Sequence, residues 1–235
     1  MRVLVGTSGY AYKEWKGPFY PADLPDERML EYYGRHLRAV EINNTFYRMP
    51  SSQVVEHWAE SVPQGFAFSI KASRRITHMG RLKNVADSVS YLFDKTALLG
   101  DKLGCVLFQL PPFLEQDLPR LNGFLDLLPD GPRVALEFRH GSWFDEPVYE
   151  ALRARNVALC LGDEALKHGS PVPFVPTADW GYLRLRELEY DVATLRRWAR
   201  RVADQAWDRA FVFFKHEDAG AGPKLAARFI ELLDS

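Results

Sequence analysis

Two rhythms of apolar residues alternate along the chain. Short β-branched or aromatic runs begin at positions 3 (VLVGTS), 39 (AVEINN), 67 (AFSIKA), 105 (CVLFQL), 134 (VALEFRH), 158 (ALCLGD), 182 (YLRLRE) and 211 (FVFFKHE), and each predicts a strand. Between them, residues 51–62, 84–101, 118–128 and 192–205 space their apolar positions three and four apart, the helical interval, and Ser51 stands where the first would be capped. Eight strands alternating with helices at roughly 30 residues per unit predict an α/β fold of the TIM type, a (β/α)8 barrel formed by residues 1–235 as a single domain. The competing arrangement, an open doubly wound sheet, uses a Gly-rich first turn that this sequence does not have. One unit departs from the pattern: between Asp163 and Tyr182 the chain reads EALKHGSPVPFVPTADWG, too rich in Pro and Gly for a regular helix, so an irregular sixth crossover is expected.

Alternation within the strands then separates an inner set from an outer one. In a barrel, successive residues point alternately into the lumen and onto the helices. Taking the polar residues as inward gives Thr7, Glu41, Asn43, Ser69, Lys71, Gln109, Glu137, Arg139, Asp163, Arg184, Arg186 and Lys215, and leaves Phe68, Ile70, Phe108, Leu136, Phe138, Leu183, Leu185, Val212 and Phe214 outside. The polar residues fall at or near the C-terminal ends of their strands, the face on which barrel enzymes build their sites. The structural alternative is an ion-pair ladder in which Glu41, Glu137 and Asp163 neutralise Lys71, Arg139 and Arg184.

Composition narrows the partners. With 235 residues, 47% hydrophobic, 26% charged and a formal net charge of -1, the chain has the material for one large core and no global field that would recruit nucleic acid or an anionic membrane. Cys105 and Cys160 sit in apolar strand runs without metal-type spacing and read as reduced core thiols. No apolar run has the length of a signal peptide's core with its flanks or of a membrane span, and the expected location is the cytoplasm.

Block after block, the stretches GTSGYAYKEWKGPFYP (6–21), VEINNTFYRMPS (40–51), FAFSIKASRRITH (66–78), LGCVLFQLPPFL (103–114), ALEFRHGSWF (135–144), NVALCLGDE (156–164) and TADWGYLRLR (177–186) resemble the YecE-like family, domain of unknown function 72. The resemblance spans nearly the whole chain. It implies a single-domain barrel and no particular reaction. Where the family tends to end its last strand in Asn-Asn-Asp, this chain has Lys215, His216 and Glu217.

The converging Lys71, Arg74, Arg75, Arg139, Arg184, Arg186 and Lys215 suit a phosphate or carboxylate. The GTSG turn and GAGPK (220–224), expected before the last helix, would add backbone donors. GTSGY lacks the spacing of a nucleophile elbow. Glu41 and Glu137 are the acid–base candidates, and Lys71 is a candidate base or Schiff-base nucleophile. Thr7, Tyr10, Asn43, Gln109, Arg139, Asp163, Arg184 and Lys215 are expected to bind substrate, with Glu137 and Arg139 acting together. Tyr10, Tyr12, Tyr47, Phe113, Trp143, Phe144 and Trp180 crowd the same loops and could stack bases or sugars, whereas Trp15, Phe19 and Tyr20 are expected to pack over the barrel. His140 and His216 fall on the outward side of strand ends, His36, His57 and His168 read as surface residues, and no HxH or HxxxH spacing occurs, so no metal site and no cofactor is assigned. The expected function is an enzyme, a hydrolase or lyase, acting on a phosphorylated or other anionic small molecule or a nucleic-acid strand. The alternative is a non-catalytic binder of the same anion.

Overall fold

The structure, a computed structural model, describes residues 1–163, 172–187, 189–215 and 220–233. Strands β1 (Arg2–Ser8), β2 (Ala39–Ile42), β3 (Ala67–Lys71), β4 (Leu103–Gln109), β5 (Val134–Glu137), β6 (Ala158–Gly162), β7 (Trp180–Leu185) and β8 (Arg209–Phe214) are hydrogen-bonded in chain order into a closed barrel. All neighbours run parallel, and β1 closes the ring against β8 through the pairs Arg2 with Arg209 to Thr7 with Phe214.

Around the barrel lie helices α1 (Met29–His36), α2 (Ser52–Ser61), α3 (Ala86–Thr96), α4 (Leu118–Leu125), α5 (Glu146–Ala154), α6 (Val192–Ala203) and α7 (Ala221–Leu233). Local chemistry starts several of them. Asp117, Asp145 and Asp191 each accept a backbone N–H from the first turn of α4, α5 and α6, and α4 and α5 carry a proline there, where its missing donor is no loss. Ser51 precedes α2 with extended backbone but its side chain makes no capping bond, contrary to the expectation from sequence. GAGPK does not precede the last helix; from Ala221 onward it forms the helix's opening turn.

The lumen is filled unevenly. Leu4, Ala39, Ala67, Cys105, Leu107, Ala135, Ala158 and Cys160 line it from β1 to β6, while β7 and β8 supply Trp180, Tyr182, Phe211 and Phe213. The rings of Phe211 and Phe213 lie parallel with centroids 6.4 Å apart. Small residues across the lumen make room for these aromatics, as the packing density of protein interiors requires. Gly6 belongs to the same design: a Cβ there would come within 1.8 Å of the Ala39 carbonyl oxygen. The outer faces of the strands, with Phe68, Ile70, Phe108, Leu136, Leu183, Leu185, Val212 and Phe214, are buried against the helices.

The crossover from β6 to β7 lies partly outside the described residues, with His168 among them; its described portion, 172–179, carries neither helix nor strand. Trp180 is not a loop residue. It is 1% exposed, paired with Arg209 at the start of β7, and packs at the end of the lumen opposite the polar strand termini. Trp15 and Tyr20 are fully buried and pack over the barrel as expected.

Candidate functional site

The polar ends of β1, β2, β4, β5 and β7 meet in one buried network. Arg184 is its centre. One terminal nitrogen donates to Glu41 Oε1 at 2.8 Å and the other to Glu137 Oε2 at 2.6 Å, so a single guanidinium joins carboxylates from β2 and β5. Its Nε is buried with no acceptor, and the two terminal nitrogens alone hold it.

Glu41 has 0% exposure and a full set of donors. Oε1 accepts from Ser8 Oγ at 2.7 Å, Asn43 Nδ2 at 3.0 Å and Arg184, and Oε2 accepts from Tyr182 Oη at 2.6 Å. Tyr182 spends its one proton there, so the 2.7 Å contact between Ser69 Oγ and Tyr182 Oη has Ser69 as donor. Burial pushes the Glu41 carboxyl up; the Arg184 guanidinium and the hydroxyl and amide donors outweigh it and hold the group below the usual carboxylate range. Burial opposes the charge of Arg184 as well, and the two glutamates overcome it. Burial and the neighbouring Glu41 both push the Tyr182 phenol up.

Glu137 accepts from Gln109 Nε2 at 2.8 Å, from Arg184, and from Arg186 at 3.3 Å to each oxygen. Among the described residues the donors to Glu137 are therefore Gln109, Arg184 of β7 and Arg186 just after it, and not Arg139, which lies half-buried just beyond β5. The ladder of one acid for each base is replaced by two acids sharing one arginine.

Lys71, the last residue of β3, is half-buried and lies over the ring of Phe46, 4.6 Å from its centroid. Among the described residues its ammonium has no ion pair or hydrogen bond. Burial lowers its pKa first, then the charge of Arg184; Glu41 and Glu137 pull the other way, and Lys215 adds to the lowering. Against the same Phe46 ring, edge-on at 4.8 Å, stands His78 from the π-helical turn Arg75–Met79. Burial, Lys71 and Arg139 push its imidazole below the usual value, so it is neutral near pH 7. Lys215 is exposed at the end of β8.

Three expectations shift. Thr7 faces away from the lumen: its hydroxyl lies 2.8 Å from Tyr33 Oη on α1 and donates to the Gly9 carbonyl, while Ser8 takes the inward position. The reason is register, since Ser8 is the β1 residue opposite Glu41. Asp163 follows β6 off the inward parity of Cys160 and Gly162, and its carboxylate accepts the Arg186 backbone N–H at 2.8 Å and the Tyr190 hydroxyl. Tyr10 packs on Tyr33, and its carbonyl accepts from Tyr20, within the aromatic cover over α1. Ser8, Tyr182 and His78 are the members that sequence reasoning missed. Tyr182 shares the two-residue spacing of Arg184 and Arg186, and that spacing was the available signal. Among the described residues no three His, Cys, Asp or Glu side chains converge as a metal ligand set; His140 instead caps a short turn by accepting from Ser142, and His216 and Glu217 lie outside the described residues.

A closed parallel barrel with a charge-locked polar network at the C-terminal ends of its strands defines the class: a TIM-type barrel whose mouth has the build of a site. The family model described as protein of unknown function DUF72 matches residues 4–235, and the chain belongs to that family. It is 26% identical to the UPF0759 protein YunF of Bacillus subtilis, over 99% of this chain and 95% of that one. The UPF0759 protein YecE of Escherichia coli is 35% identical over 60% of this chain and 54% of its own. Of solved structures, a DUF72 family protein of Thermotoga maritima, TM1631, superposes with a TM-score of 0.87 at 25% identity and full coverage of both chains. Another from Enterococcus faecalis, EF0366, reaches 0.83 at 18% identity over 99% and 96% of the two chains. No helix among the described residues is long and apolar enough to cross a membrane.

Proposed function

We propose that the protein is an enzyme of the hydrolase or lyase type acting on a phosphorylated or otherwise anionic substrate bound at the C-terminal mouth of the barrel. One observation carries the reading: among the described residues, the acids and bases of the mouth do not cancel. Glu41 and Glu137 are balanced by Arg184 and Arg186, whereas the ammonium groups of Lys71 and Lys215 have no acid partner among the described residues. Lys71 in particular is half-buried, and a partly desolvated cation without a counterion favours an anion. In this reading Arg139, Lys71 and Lys215 hold the anionic group, and Gln109 and Glu137 form the wall beside it. Glu41 is a positioning residue in this reading, because it is fully buried, three donors crowd Oε1 and the Tyr182 hydroxyl holds Oε2.

The enclosure of Glu41, buried and held by four donors, is also what favours the second reading, a non-catalytic binder of the same anion. At the rim, exposed Tyr47 and Phe113 stand under Arg74 and Arg81 at 5.8 and 5.2 Å, a pairing that suits a nucleotide or a nucleic-acid strand as well as a sugar phosphate. The test is a thermal shift with phosphate or sulfate against chloride at equal ionic strength, in the wild-type protein and in Lys71→Met. Stabilisation by the divalent anions in the wild type alone supports the site by mass action, and equal melting in all salts removes it. Glu137→Gln then separates the two readings with any substrate that binds: binding kept and turnover lost marks the enzyme.

A further inference from the structure

We infer that Lys71 is a covalent nucleophile whose amine condenses with the carbonyl of an anionic aldehyde or ketone, forming an iminium link. The choice of an anionic carbonyl compound rests on the function proposed above; the reactivity of the amine does not.

Three features of the site converge on this role. The first is position. Lys71 has the inward parity of Ala67 and Ser69 and ends β3 at the open face, so its amine is reached from the mouth. The second is its company. A lysine kept for structure in such a place has a carboxylate against it, and among the described residues the two carboxylates that act on it, Glu41 and Glu137, are bound instead to Arg184. Its ammonium lies over the ring of Phe46; burial, Arg184 and Lys215 lower its pKa, and Glu41 and Glu137 oppose them without reversing the direction. Apolar contact together with neighbouring positive charge is the condition under which a lysine loses its proton near neutrality and becomes a nucleophile.

The third feature is a proton carrier. His78 shares the Phe46 ring with Lys71, and its Nδ1 lies 3.0 Å from Thr77 Oγ1. The imidazole is neutral near pH 7, and Lys71 and Arg139 keep it so while Glu137 opposes them. Condensation needs such a group. The amine lone pair attacks the carbonyl carbon as the C=O π pair moves onto oxygen, giving a carbinolamine. A proton then passes from nitrogen to that oxygen to make a hydroxyl, the hydroxyl receives as a second proton the one the ammonium gave up before the attack, and the C–O bond breaks so that water leaves as the C=N bond forms. Ammonium plus carbonyl gives iminium plus water, with no oxidant or reductant. In this proposal His78 takes the ammonium proton before the attack and gives it to the departing hydroxyl.

The test uses pyridoxal 5′-phosphate, a phosphorylated aldehyde, and pyridoxal, the same aldehyde without phosphate. Each is reduced onto the native protein with borohydride at limiting reagent, and the adducts are mapped by peptide mass spectrometry. The expected result is an adduct concentrated on Lys71, because each unit by which an amine's pKa falls gives about tenfold more free amine below that value. Exposed Lys13, at 79% side-chain exposure, and Lys83 serve as internal references. Labelling of Lys71 at least about tenfold faster than these, half-maximal at a pH below the ordinary lysine value of about 10.4, supports the inference. Labelling of Lys71 no faster than the references overturns it, and needs no variant that must fold. If phosphate accelerates labelling, both the nucleophile and the anion site stand. Equal labelling of Lys71 by both aldehydes keeps the nucleophile and removes the anion site. A phosphate thermal shift without selective labelling does the reverse.

Discussion

Replacing Arg184 with Met strands two carboxylates, and the structure says which of them bears the cost. Glu137 keeps Gln109 and, at 3.3 Å, Arg186. Glu41 loses its one ion-pair partner at 0% exposure. Breaking a buried pair in this way costs about 3–5 kcal/mol, and Met fills much of the volume, so the loss is electrostatic and not a cavity. The pH dependence carries a second signature. In the wild-type protein Glu41 lies below its ordinary value and binds fewer protons folded than unfolded. Its contribution is complete above the unfolded value of about 4.3 and is lost as pH falls through the folded one. In Arg184→Met burial loses the cation that most opposes it, while Lys71 and the donors Tyr182, Ser8 and Asn43 remain, so the folded value rises and the variant loses less stability than the wild type as pH falls. The gap between the two proteins therefore narrows on acidification. Denaturant unfolding at a series of pH values measures it, with Arg184→Met/Glu41→Gln as the partner variant recovering about 0.5–3 kcal/mol by coupling. A gap below about 1 kcal/mol that does not change with pH refutes the reasoning, since it would mean that water solvates these carboxylates.

Tyr182→Phe removes the Glu41 donor and leaves Ser69 without its acceptor, and is expected to cost about 1–3 kcal/mol in denaturant unfolding. Thr7→Val, on the outer side of β1, should lose about 1 kcal/mol through the bond its hydroxyl donates to the Gly9 carbonyl and leave any phosphate-induced thermal shift unchanged; a lost shift would return Thr7 to the site. Cys105 and Cys160 are both buried in the lumen, and burial pushes the Cys105 thiol well up, so neither should react with a disulfide reagent faster than the protein unfolds, as thiol-release kinetics across denaturant would show.

The strands were legible because their signal is local. β-Branched and aromatic runs of period two mark all eight, and the outer residues from Phe68 to Phe214 separate by parity alone. Parity failed at β1, where GTS puts small polar residues on both faces and local sequence does not distinguish Thr7 from Ser8. What decides is the pairing of Ser8 with Glu41 and the reach of Tyr33 from α1, both long-range. The candidate site was legible as a set of inward charges but not as a set of bonds. That Glu41 and Glu137 converge on Arg184, leaving Lys71 without an acid partner among the described residues, follows from strands β2, β5 and β7 facing one another around a closed ring.

The uneven filling of the lumen has a consequence for synthesis. Domains are assembled from the N-terminal side as the chain emerges. Strands β1 to β6 bring mainly small and medium residues to the interior, and the large rings of Trp180, Tyr182, Phe211 and Phe213 arrive only with the last two strands. A nascent chain that has released six strands thus has nothing to close around. Arg184 emerges two residues after Tyr182, so the acids of β2 and β5 must wait for the same stretch. Ring closure, core filling and charge neutralisation fall into one late event, and a ribosome-stalled fragment ending before β7 should be protease-sensitive throughout and not half folded.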